Sequence, residues 1–178
     1  MFMNYRFNLS VIMCCTAAIL LTAGCSDDDD QPENPQPTQE ETIAAMIDEV
    51  REATASYHDY EAGKDAGWNL QLSDCVAHPE LGGMGFHYGR MEYMDGRVNY
   101  LEPQVLLYAP AGEEEMEFVG VEYIVPFEIL PEDSEPPVLF FHEFRKNPMQ
   151  EIWALHVWTE KHNPSGMFAD WNPDVSCE

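Results

Sequence analysis

The sequence predicts an α+β domain in which one N-terminal amphipathic helix packs on a mostly antiparallel sheet of about five strands. Three observations predict this fold class. Apolar residues recur with a helical period after Thr38, and short β-rich runs separated by turn residues follow them. The connections between those runs are too short for the crossover helices that parallel strands require.

The helix is expected from about residue 39 to residue 66. Thr38 and Glu41 have the spacing of a capping box, and Gly67 lies near the expected end of the helix. The apolar face consists of Ile43, Met46, Ile47, Val50, Ala53, Tyr57 and Tyr60.

Five β-rich runs follow Trp68 and are expected to be strands. They span residues 84–91, 104–108, 116–125, 138–145 and 151–159. Gly82, Gly83 and Gly85 lie at the first of these runs and predict a bulge or a close approach of another backbone segment. The last twenty residues are expected to form ordered irregular structure.

The charge excludes one class of partner. The 178 residues include 8 Lys and Arg against 33 Asp and Glu, which gives a formal net charge of −25. Nucleic acid is excluded as a partner because basic side chains must neutralise its phosphates. The hydrophobic content of 45% is sufficient for a folded core.

Residues 1–24 are interpreted as a lipoprotein signal peptide. Arg6 precedes an apolar stretch of about 13 residues, which is too short to span a bilayer. The following Leu21-Thr22-Ala23-Gly24-Cys25 resembles a bacterial lipobox, in which cleavage leaves Cys25 as the acylated N-terminus. The alternative is an ordinary signal peptide with a chance cysteine.

Residues 25–37 are interpreted as an acidic, proline-rich tether, and residues 38–178 as a single globular domain. Ser26-Asp27-Asp28-Asp29-Asp30 resembles the surface-export signal of Bacteroidetes lipoproteins. That resemblance implies a protein anchored to the outer membrane through lipid on Cys25 and facing the cell exterior. The alternative is a tether that is simply solvated.

The cysteines predict one disulfide in the domain. Cys14 and Cys15 leave with the signal peptide and Cys25 is lipidated, so Cys75 and Cys177 remain. An even pair in an exported protein most simply forms a disulfide, which would here stabilise the fold by about 4–5 kcal/mol. A redox or metal role would favour a closer spacing such as C-x-x-C, which is absent.

Three histidines and one glutamate are the candidate functional residues. His87, His142 and His156 lie within expected strands, and Glu122 interrupts an apolar run. Period-two alternation places His142 on the same sheet face as Phe140. If these four side chains converge, they would bind a divalent metal such as zinc, the one cofactor that the residues suggest. A metal-free polar ligand pocket and individually hydrogen-bonded structural histidines are the alternatives.

Several motifs together resemble a family of exported bacterial proteins. They are Tyr57-His58-Asp59, Ala66-Gly67-Trp68, Asp74-Cys75-Val76, Gly83-Met84-Gly85-Phe86-His87-Tyr88, Pro103-Gln104-Val105-Leu106-Leu107-Tyr108, Val119-Gly120-Val121-Glu122-Tyr123 and His162-Asn163-Pro164-Ser165-Gly166-Met167-Phe168. The resemblance implies that His87, Glu122, His156 and His162 fall within the family's motifs and that Cys75 and Cys177 pair, but it implies no activity. Gln104 departs from the glutamate that the family has at this position.

The leading expectation for function is a non-enzymatic surface lipoprotein domain. It would bind a small molecule or a surface protein through the sheet face and the C-terminal loop, with Tyr88 and His162 as further ligand-binding candidates. The alternative is a metal-dependent enzyme that uses the three histidines and Glu122, although no familiar catalytic motif is present. A structural subunit of a surface assembly is the third possibility.

Overall fold

The computed structural model describes residues 36–112 and 115–178. The signal peptide, Cys25 and nearly all of the acidic tether lie outside these ranges, so their roles stay predictions. Within the described ranges, no helix combines the length and the apolar character needed to cross a membrane.

The predicted helix begins as expected and is broken near its end. Helix α1 spans Gln39–Thr54, and both hydrogen bonds of the Thr38 capping box are present. A 3-10 turn and helix α2, Tyr60–Asp65, follow. Asp59 has extended backbone angles, and its carboxylate accepts a hydrogen bond from the Glu61 amide at 3.0 Å. Asp59 therefore caps a new helix, since aspartate is favoured at helix starts over helix interiors.

Six strands form one antiparallel sheet, one more than the expected number of about five, and this confirms the α+β prediction. The strands of the structure are β1 Leu70–His78, β2 Gly82–Gly89, β3 Val105–Pro110, β4 Met116–Pro126, β5 Val138–Leu139, β6 His142–Glu143, β7 Arg145–Asn147 and β8 Ile152–Val157. The order in the sheet is β1-β2-β3-β4-β8-β7, and β5 pairs with β6 separately. Strand β1 was not expected because most of its side chains are exposed and its sequence lacks an alternating apolar pattern.

The expected strand over residues 138–145 is wrong. Phe140 and Phe141 have φ angles of 51° and 59°, and they form the two-residue turn between β5 and β6. Such turns usually contain asparagine or glycine, so the two aromatic residues gave no indication of a turn. The turn interrupts the alternation that placed His142 on the face of Phe140.

The sheet has a buried core on each face. Helix α1 covers one face, where Ile47 and Val50 pack with β3 and β4 side chains such as Leu106 and Tyr123. The other face carries a second core of Val105, Leu107, Ala109, Val119, Ile124, Ala154, Trp158 and Val175. Val175 belongs to residues 159–178, here called the C-terminal segment, which covers this second face.

The C-terminal segment is attached to the sheet covalently and by backbone pairing. The predicted disulfide between Cys75 and Cys177 is present and joins β1 to the end of the segment. Gly83 and Asn172 exchange two backbone hydrogen bonds of 3.0 Å each. A side chain at Gly82, where φ is +91°, would overlap the backbone of Asn172. The predicted close backbone approach at these glycines is therefore confirmed.

Candidate metal centre

Two histidines and one glutamate converge on the sheet face that the C-terminal segment covers. Glu122 of β4 is paired with His156 of β8, so their side chains project from the same face. His87 of β2 is paired with Leu107 of β3, one strand away from β4. The three residues are buried, with exposures of 8% for His87 and 5% for the other two.

The polar atoms of the three side chains lie close together. The Nε2 atoms of His87 and His156 are 3.2 Å apart. The Glu122 carboxylate has one oxygen 3.8 Å from His87 Nε2 and the other 3.5 Å from His156 Nδ1. One ligand atom from each residue can be chosen so that all three lie within 4.8 Å of one another. This buried group could hold a metal ion.

The short contact between the His87 and His156 rings allows two chemical interpretations. One neutral ring can donate a hydrogen bond to the other, or both Nε2 atoms can bind the same ion. Zinc–nitrogen bonds of about 2.0–2.1 Å in a tetrahedron place two ligand nitrogens about 3.3 Å apart. The observed 3.2 Å is close to that separation, while ring centroids 5.4 Å apart show that the two Nε2 atoms face each other almost end-on, as a hydrogen bond requires.

Burial removes the charge from all three groups. Desolvation, with a smaller effect of the nearby His156, lowers the pKa of His87 to about 3. Desolvation, with a smaller effect of Arg145, lowers the pKa of His156 to about 4. Desolvation and the negative charge of Asp170 raise the pKa of Glu122 to about 8. At neutral pH the rings are uncharged, as metal ligation requires, and Glu122 holds a proton that a cation would displace.

Further polar contacts surround the cluster. The Oγ atom of Ser73 on β1 is 2.8 Å from His87 Nδ1. Asp170 of the C-terminal segment has one oxygen 4.0 Å from His156 Nδ1 and the other 2.6 Å from Arg145. Sequence reasoning missed these residues because Ser73 lies on the unexpected strand and Asp170 lies in irregular structure, where no periodicity indicates its direction.

The other candidates lie elsewhere. The His142 ring stacks on Phe168 with centroids 3.9 Å apart, and its Nδ1–H donates a hydrogen bond to the Phe140 carbonyl oxygen. Tyr88 packs in the core on the helix side of the sheet, and His162 is exposed in the C-terminal segment. The structure therefore brings together three of the four predicted metal ligands, but His142 is not among them.

An open surface depression of about 400 Å³ lies apart from the three-residue group. It is lined mainly by residues near the start of α2 and the start of β4, such as Tyr60 and Met116. None of its lining residues belongs to the buried group. The low exposure of the group suits an ion better than a larger ligand.

Comparisons with protein-family models, with curated proteins and with solved structures found no match for this chain. The resemblance to a family of exported bacterial proteins therefore stays a prediction from sequence motifs.

Proposed function

We propose that this protein is an exported, lipid-anchored domain whose ligand is a divalent transition-metal ion. The ion would be zinc or one of similar preference, bound by His87, Glu122 and His156. The observation that carries this proposal is the convergence of two imidazoles and a carboxylate, from three strands, within 4.8 Å.

The donor set supports the choice of metal class. Imidazole nitrogen with one carboxylate oxygen suits zinc and neighbouring transition metals, whereas calcium and magnesium favour sites made of oxygen alone. A formal net charge of −25 also raises the concentration of cations around the protein. Both features favour capture of a metal cation at the cell exterior, where the N-terminal sequence predicts the protein to be.

Burial supports binding as the function of this site. The three ligands are at most 8% exposed, and the C-terminal segment covers the sheet face that carries them. A substrate larger than a few atoms would require that segment to move. We therefore propose metal binding rather than catalysis.

One observation favours a metal-dependent enzyme as the second candidate. Three protein ligands leave a fourth position free, and this is typical of catalytic zinc. The two candidates differ in access to that position. Azide added to the cobalt-substituted protein would change the visible spectrum of an open site and leave that of a closed site unchanged, and we expect no change.

The test is the metal content and zinc affinity of the full-length protein, purified in mild detergent without chelator or histidine tag. We expect about one zinc per chain, measured by mass spectrometry of the metal and by calorimetry. His87→Gln combined with His156→Gln should abolish binding while circular dichroism shows a folded protein. His142→Gln and His162→Gln are the matched controls and should bind as the wild type does.

Two outcomes would contradict the proposal. A folded wild-type protein that neither contains metal nor binds added zinc has no such centre. Equal loss of zinc in the control variants and in the double variant would show that His87 and His156 do not form the binding site.

A further inference from the structure

We propose that Asp170 is a positioning residue of this centre, held by Arg145 and accepting a hydrogen bond from the Nδ1–H of His156 so that Nε2 of the ring binds the metal. This inference rests on the proposed function. It adds a residue of the C-terminal segment to a centre whose ligands all lie on the sheet.

The His156 ring is oriented with its Nε2 atom toward the proposed metal position. Its Nε2 atom faces His87 Nε2 at 3.2 Å, which makes Nε2 the nitrogen available to a shared ion. Its Nδ1 atom then needs a partner of its own. A histidine that binds a metal almost always donates its other ring N–H to a carboxylate, a carbonyl or water.

Two carboxylates lie near that second nitrogen. Glu122 has an oxygen 3.5 Å from His156 Nδ1, and Asp170 has one at 4.0 Å. Glu122 is also a metal ligand in the proposed centre, and its other oxygen is 3.8 Å from His87 Nε2. Once Glu122 turns toward an ion between the rings, Asp170 is the carboxylate that remains for Nδ1, after a movement of about 1 Å to hydrogen-bonding distance.

Asp170 is itself held in place. Its second oxygen is 2.6 Å from Arg145 Nη1, and Arg145 Nη2 donates to the Phe168 carbonyl oxygen at 3.4 Å. The Asp170 side chain is 31% exposed while that of His156 is 5% exposed. Asp170 therefore lies at the boundary between the buried group and solvent, with one oxygen bound to Arg145 and the other 4.0 Å from His156 Nδ1.

The other histidine, His87, has a partner that is already within hydrogen-bonding distance. Ser73 Oγ lies 2.8 Å from His87 Nδ1, so this ring has one nitrogen toward His156 and the other toward a group outside the three ligands. Ser73 is on β1 and Asp170 is in the C-terminal segment. The two elements are joined by the Cys75–Cys177 disulfide, so both partners belong to the disulfide-linked part of the fold.

The test compares Asp170→Asn with Asp174→Asn in the full-length protein. Both changes remove one carboxylate from the C-terminal segment, but Asp174 is exposed and lies outside the buried group. Zinc affinity is measured by competition with a chromophoric chelator at fixed pH and salt. We expect affinity about 10–100-fold weaker in Asp170→Asn and within about twofold of wild type in Asp174→Asn.

A second readout separates positioning from a general effect on the fold. Long-range proton–nitrogen spectra of the zinc-loaded protein report which nitrogen of His156 carries the proton. The Nδ1–H signal should shift in Asp170→Asn and stay unchanged in Asp174→Asn. Arg145→Gln tests the same contact from the other side and should also weaken zinc binding.

The outcomes distinguish this inference from the proposed function. If the wild type binds zinc and Asp170→Asn binds it as tightly as Asp174→Asn, Asp170 has no positioning role and the proposed function stands. If the wild type binds no zinc, both fail. If Asp170→Asn does not fold, unchanged zinc affinity in Arg145→Gln overturns the inference.

Discussion

The Nε2 atoms of His87 and His156 lie 3.2 Å apart, although the residues are 69 positions apart in the chain. Because both rings are uncharged at neutral pH, one N–H can bridge the two nitrogens without an ion. A metal ion bound by both Nε2 atoms would lie beside the line that joins them, and the bridging proton would move to the Nδ1 atom of its own ring. The two imidazole nitrogens are therefore already close to the separation that a shared ion needs, which lowers the ordering cost of binding.

Glu122 should make the metal-free protein less stable as pH rises. The folded state holds the Glu122 proton up to pH about 8, while the unfolded chain releases it near 4.5. The folded state therefore binds more protons between these values, and the stabilisation present at low pH is lost as pH rises. Relative to Glu122→Gln, the free energy of unfolding should fall by about 2 kcal/mol between pH 5.5 and 7.5.

Urea unfolding in chelator at several pH values measures this difference. The pKa values of His87 and His156 are lowered on folding, so these residues make the stability rise with pH, opposite to Glu122. Both proteins contain the two histidines, so the comparison with Glu122→Gln cancels their contribution. Glu143→Gln, at an exposed position, is the control and should follow the wild-type pH profile. Parallel profiles for the wild type and Glu122→Gln would rule out a buried, protonated Glu122.

Zinc binding should release a proton from Glu122. With a pKa of about 8, this carboxyl is almost fully protonated at pH 6.5. Calorimetry in buffers of different ionisation enthalpy should show about one proton released per zinc at pH 6.5 and about a quarter of a proton at pH 8.5. Equal release at both pH values would argue against Glu122 as the ligand that loses its proton.

The Cys75–Cys177 disulfide should contribute a large part of the stability. It links residues 102 positions apart and holds the C-terminal segment on the sheet. Replacing both cysteines with serine should lower the free energy of unfolding by about 4–5 kcal/mol in urea titrations. Reductant should destabilise the wild type to a similar extent and leave the double variant unchanged, whereas insensitivity of the wild type would contradict this role.

The turn between β5 and β6 should respond differently at its two positions. Phe140 and Phe141 both have left-handed backbone angles, but Phe140 is 2% exposed and Phe141 is 57% exposed. Phe141→Gly should stay within about 1 kcal/mol of wild type, since glycine relieves the backbone strain and little packing is lost. Phe140→Gly should cost about 3–5 kcal/mol because it empties a core position. Thermal unfolding measures the stability of both variants. Similar losses of stability would contradict a turn in which Phe140 is buried and Phe141 is exposed.

The sequence predicted those elements whose conformation is set by interactions between residues close together in the chain. Thr38 and Glu41 marked the helix start because capping depends on residues three positions apart. The break at Asp59 in the expected helix was missed. An aspartate within an amphipathic helical pattern can either face solvent or cap a new helix, and the pattern is the same in both cases. The two-residue turn at Phe140 was missed because burial of its ring, rather than a turn residue, holds the backbone there.

The sequence by itself determined the α+β class, the antiparallel sheet, the pairing of Cys75 with Cys177 and the identity of residues that need a polar partner inside the fold. These follow from composition, short-range periodicity and connection length. Only the tertiary structure decided that His87, Glu122 and His156 meet, that His142 stacks on Phe168, and that Asp170 lies beside the cluster. Strand order and register are set by packing between distant segments, and that packing leaves no local pattern in the sequence.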